Sequence, residues 1–190
     1  MSADNIVSKY SDNSDYDSAM HFAPGAGVGV MHDLYVTNTS QYNALQKLNS
    51  EKSRLDIPFL QMGECLHGVG SFKQSMFPQN IGMAASFDTN LGYRVGRAIG
   101  AEARSIGIHA CFSPVLDLGL EPRWGRGLLC DLKWRSNTDS WIVQEAFGED
   151  MLLTSHIGVA MASGMSKNGS LSDPDAVTPV VKRKYSNFCT

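Results

Sequence analysis

Apolar and polar positions along this chain fall into runs with two different periods. Residues 25–31 alternate small and apolar side chains, the pattern of a short strand. Ser40 then stands where a helix N-cap would, ahead of Tyr42, Leu45 and Leu48 at helical spacing, and that helix is expected to run to about Arg54. Residues 57–63 form a compact apolar run bounded by turn residues, which predicts a buried strand delivering Glu64 and His67 at its carboxyl end. Asp88 caps the next helix, in which Leu91, Val95, Ala98 and Ile99 share one face. Arg94, Arg97 and Arg104 are expected to face water there, and Gly107 to end the helix. Residues 108–118 predict a further apolar strand, ending at Asp117. A helix capped by Asp150 carries Leu153, Ile157, Ala160, Met161 and Gly164 on its inner side, and residues 176–181 predict a last strand that ends at Lys182.

Strands and helices therefore alternate, with polar groups collecting where strands stop. That is how a parallel α/β barrel or a doubly wound sheet arranges its site. Residues 1–24 are rich in Ser, Asp and Asn without a sustained period and read as a flexible lead-in. At 190 residues the chain has room for one domain or part of one.

Composition narrows the partners. The chain is 43% hydrophobic and 18% charged, with 16 Lys and Arg against 19 Asp and Glu, as in a soluble globular protein. Clustered Lys and Arg, on which nucleic-acid and anionic-membrane binding are built, are lacking, so neither partner is expected. The most apolar segment, residues 106–120, is broken by His109, Ser113, Pro114 and Asp117, short of the ~18 apolar residues of a spanning helix. The first residues lack the basic flank and apolar core of a secretory signal. Sequons stand at Asn38 and Asn168, and the compartment stays open. Cys65, Cys111, Cys130 and Cys189 are widely spaced and are expected to be buried or incidental thiols, neither a disulfide framework nor a zinc site.

Glu64-Cys65-Leu66-His67 has the Glu-x-x-His spacing of bundle metal ligands, but a bundle needs two copies and this one follows a strand, so no metal is expected. Gly25, Gly27 and Gly29 lack the third glycine of a dinucleotide loop, and no cofactor is expected either. Gly92, Gly96 and Gly100, four apart on one helix, predict close helix packing. Phe77-Pro78-Gln79-Asn80 and Phe147-Gly148-Glu149-Asp150 read as local turn and cap chemistry. In Glu121-Pro122-Arg123-Trp124-Gly125-Arg126, two guanidinium forks bracket an indole. That combination suits a polyhydroxylated ring with acceptor oxygens on its edge and C–H groups on its face; a solvated basic loop is the plainer reading.

Taken together, Gly63-Glu64-Cys65-Leu66-His67-Gly68, Phe77-Pro78-Gln79-Asn80-Ile81-Gly82, Ser113-Pro114-Val115-Leu116-Asp117, Pro122-Arg123-Trp124-Gly125-Arg126 and Glu145-Ala146-Phe147-Gly148-Glu149-Asp150 resemble glycoside hydrolase family 3, the retaining β-glucosidase and exo-β-glucanase family. The resemblance implies an incomplete (β/α)8 TIM-type barrel, about its first half, over residues 25–182. By position it implies that Glu64, Arg126 and Lys182 bind the hydroxyls of the non-reducing-end sugar of a β-glucoside or β-glucan oligosaccharide. The nucleophilic Asp and the acid/base of the family lie beyond Lys182, so no catalytic residue is assigned and this chain is expected to be inactive. Residues 127–142 look inserted and 183–190 diverge, as two retained introns would make them; one coding of Arg183-Lys184 contains a splice-donor sequence. What remains is about half of the ~250 residues a barrel takes. Unpaired strand edges would then favour self-association. A non-catalytic sugar-binding remnant and a mis-spliced product that does not fold are the alternatives.

Overall fold

The computed structural model describes residues 27–32, 39–70, 74–119, 145–170 and 172–182. Their elements alternate as expected: β1 (Val30–His32), α1 (Thr39–Lys52), β2 (Leu60–Gly63), α2 (Asn80–Ala84), α3 (Thr89–Ser105), β3 (Ala110–Cys111), α4 (Met151–Met165) and β4 (Thr178–Pro179). All neighbouring strands are parallel, and their spatial order is their chain order, β1-β2-β3-β4. The fold is an open arc of a (β/α)8-type barrel. No helix among the described residues is long and apolar enough to cross a membrane.

The strands are shorter than the apolar runs that predict them, because side chains and turns take over their hydrogen bonds. Ahead of β2, the Gln46 amide both donates to Phe59 O (2.9 Å) and accepts from Phe59 N (3.1 Å). Asn49, 3% exposed, exchanges two bonds with Val28 and donates a third to Ile57 O, so α1 holds the entries of β1 and β2 at one height. Beyond Cys111, Ser113 N turns back onto Cys111 O (2.8 Å), interrupting the strand expected over 108–118. Pairing resumes at Val115, where Lys182 N donates to Pro114 O and Leu116 N to Lys182 O.

Asp88 and Asp150 cap α3 and α4 as expected; Asp88 accepts from Asn90 N and Leu91 N, and Asp150 from Leu153 N. The two helices meet through their glycines. A Cβ at Gly96 would lie 2.2 Å from Met161 O, and one at Gly164 would lie 2.1 Å from Tyr93 O, so only hydrogen allows this backbone approach. Ile157, Met161 and Gly164 are buried as predicted, with Ile99, Ile108, Phe147, Met165 and Val177 completing the core.

Three expectations need correction. Arg97 and Arg104 do not simply face water: Arg97 donates to Gly164 O and Asp175 O, and Arg104 to Pro174 O and Ile108 O, so both guanidinium groups bond carbonyls at helix ends and in loops. Asn80 is not local cap chemistry; it is buried, and its Nδ2 donates to Glu145 O at 2.7 Å, 65 residues away. Cys65 and Cys111 are not thiols but a disulfide, because the β2–β3 register sets Gly63 beside Cys111 and brings the two Cα atoms to 5.5 Å. The lead-in, Arg123, Arg126, residues 127–142, Cys130, the tail at 183–190 and the Asn38 sequon lie outside the described residues.

His109 opens β3, where its Nδ1 accepts from Gln61 N at 3.1 Å, a bond that an unprotonated ring makes. Burial, and secondarily the Arg104 charge, hold its pKa below the usual histidine value. The folded chain therefore takes up the proton later than the unfolded chain, so stability falls as pH drops through about 6.5. Urea midpoints taken between pH 7.5 and 5.5 should decline, and the decline should shrink in His109→Gln. Gly96→Val should lower stability by about 3 kcal/mol through forced separation of α3 and α4. Gly82→Ala, whose Cβ would meet nothing closer than Pro78 Cβ at 3.6 Å, should not destabilise in the same urea titration.

Candidate functional site

Each of the four strands delivers one side chain to the same rim. His32 is the last residue of β1, Glu64 follows β2, Phe112 follows β3, and Lys182 stands beyond β4 where its backbone pairs with the segment after β3. Lys182 Nζ forms an ion pair with Glu64 Oε2 across 118 residues of sequence. His32 Nε2 lies 3.4 Å from the other carboxylate oxygen, Oε1. The Phe112 ring meets the His32 ring edge-on at 4.9 Å, and Lys182 Nζ lies 5.8 Å from its centroid. A carboxylate gripped through both oxygens thus sits beside an ammonium and an aromatic face.

The Glu64 and Lys182 side chains are 23% and 26% accessible, and that of His32 is 38%. The pair is part-buried, with an edge of each group open to water. Its groups remain within reach of a solute, and hydroxyls can donate to the carboxylate while the ammonium donates to their oxygens. The cluster therefore presents an acceptor and a donor side by side at the rim.

Glu64 and His67, neighbours in the motif, separate in space. His67 turns into its own loop, where Nδ1 bonds Phe77 O at 3.0 Å, Nε2 accepts from the Gln79 amide at 3.1 Å, and its carbonyl accepts from Phe77 N. Cys65, between them, has φ +55°, and this left-handed residue sends the two side chains different ways. His67 shapes the loop and Glu64 takes the rim. Among the described residues no three His, Cys, Asp or Glu side chains gather as metal ligands.

Of the sequence-predicted site residues, the structure brings Glu64 and Lys182 together, while Arg126 lies outside the described residues. His32 and Phe112 escape motif reading. His32 directly follows the strand predicted over 25–31, whereas Phe112 lies within the run predicted over 108–118 and reaches a strand end only because β3 stops at Cys111.

Comparison with known proteins agrees with the architecture. The profile of the Glycosyl hydrolase family 3 N terminal domain matches residues 26–129. A putative β-xylosidase of Formosa agariphila is 36% identical over 126 residues, covering 66% of this chain and 15% of its own. A periplasmic β-glucosidase of Salmonella typhimurium is 33% identical over 113 residues, 60% of this chain and 12% of its own. The chain thus spans about one seventh of the length of these curated relatives. Among solved structures, a β-glucosidase from Erythrobacter marinus superposes with TM-score 0.72 at 26% identity, covering 96% of this chain and 24% of that one. The Listeria innocua β-glucosidase in complex with glucose gives 0.65 at 28% identity, covering 80% and 18%. With more than half of its residues matched by the family profile and its parallel strands superposing on these barrels, the chain belongs to glycoside hydrolase family 3, within its amino-terminal domain.

Proposed function

We propose that this chain supplies the sugar-gripping part of a β-glucosidase-like site: Glu64, Lys182 and Arg126 hold the non-reducing-end sugar of a β-glucoside or β-glucan oligosaccharide. The observation that carries this reading is the Glu64–Lys182 pair, an acceptor and a donor joined at the mouth of four parallel strands. A ring laid on that rim directs its hydroxyl protons to the Glu64 oxygens and accepts from Lys182 Nζ. The Phe112 ring offers its C–H groups an apolar face. Solved relatives holding glucose and laminaribiose support the same ligand class.

Glycosidic hydrolysis with retention takes two carboxyl groups about 5–5.5 Å apart, one attacking the anomeric carbon and one protonating the leaving oxygen. The rim cluster contributes Glu64, whose oxygens are engaged by Lys182 and His32 and are better disposed to accept from hydroxyls than to attack carbon. In our reading these 190 residues bind the sugar and do not turn it over.

Calorimetric titration with glucose should show binding to the unmodified chain. Losing a hydrogen bond to a charged group costs about 1.5–3 kcal/mol, so Glu64→Gln and Lys182→Met should each weaken that affinity at least about tenfold. Incubation with an aryl β-glucoside should release no phenol. Unchanged glucose affinity in Glu64→Gln would defeat the assigned grip, and phenol released by the purified chain would defeat the division between binding and turnover.

A further inference from the structure

The disulfide joins the residues adjoining two members of the rim. Glu64 directly precedes Cys65, and Phe112 directly follows Cys111. The bonded cysteines are fully buried beneath them. Pairing of β2 with β3 is short, Met62 with Ala110 and Gly63 with Cys111, and it closes with Phe112 N donating to Gly63 O at 2.8 Å. Few backbone bonds therefore resist fraying at the place where both side chains emerge.

The conformation of Cys65 adds a second argument. Its φ of +55° lies in the left-handed region, which is strained for a residue with a Cβ and persists only when its surroundings hold it. Relaxation at Cys65 would rotate the preceding peptide, and with it the direction in which Glu64 leaves the strand. The sulfur link opposes that rotation directly, since it ties the Cys65 Cβ to the adjacent strand.

We infer that Cys65 and Cys111 are positioning residues of the rim: their bond holds the backbone from which Glu64 reaches Lys182 and from which Phe112 reaches Lys182 and His32. This rests on the proposed sugar grip for its consequence, but the geometry itself can be tested without sugar. In the oxidised chain, Lys182→Met should displace the Glu64 carboxyl carbon resonance. In Cys65→Ala/Cys111→Ala, and in the unmutated chain reduced with a water-soluble phosphine, that displacement should disappear. Far-UV circular dichroism should be retained in both, and glucose affinity should fall about tenfold, the effect of one misdirected charged hydrogen bond. A Lys182→Met displacement of equal size with and without the bond would overturn the inference. Unfolding of both bond-free forms would overturn it too, because the link would then hold the sheet and not the rim. If the oxidised chain fails to bind glucose, the proposed grip falls while the resonance comparison still decides the role of the bond.

Discussion

Because β1 to β4 run parallel and pair in the order in which they occur, every strand ends on the same side of the sheet, and whatever residue follows each strand is carried to a common rim. His32, Glu64, Phe112 and Lys182 share nothing in sequence except that position. With strands of two to four residues, the ladder holds few hydrogen bonds, and the rim depends on what surrounds them. Asn49 and Gln46 level the strand entries from α1, His109 receives the Gln61 amide between β2 and β3, and the Cys65–Cys111 bond closes the far end. The sheet is aligned at both ends by side chains and in the middle by backbone.

The outer layer contributes by distance. Gly92, Gly96, Gly100 and Gly164 let α3 and α4 approach until backbone meets backbone, and Arg97 crosses from α3 to the Gly164 carbonyl. Beyond α4, Val177 N, the residue before β4, donates back to Met165 O at the end of the helix. Helix separation is thus coupled through β4 to the height of Lys182. A residue with a side chain at Gly96 would disturb the rim from the opposite side of the sheet.

Partition of the Glu-x-x-His motif shows how one turn assigns two roles. The left-handed backbone at Cys65 sends Glu64 outward to cations and His67 inward to Phe77 and Gln79. The motif is resolved into a rim-facing acid and a loop anchor. Asn80 behaves similarly: in sequence it belongs to a turn, and in space its amide spans to Glu145.

Periodicity and capping by themselves determined the alternation of strands and helices, the starts of α3 and α4 at Asp88 and Asp150, and the glycine-lined contact between those helices. These are local preferences, set by hydrogen bonds and steric limits within a few residues. The family resemblance, by position, named Glu64 and Lys182 as candidates, and the fold brings the two together. Tertiary structure alone decided that pairing resumes beyond the local Ser113–Cys111 turn, where Val115 meets Lys182. It also decided that Cys65 and Cys111 bond, that Arg97 and Arg104 cover carbonyls, and that His32 and Phe112 join the rim. Each of those depends on groups tens of residues apart being brought within a few ångströms, and that proximity is a property of strand register, which no local spacing encodes.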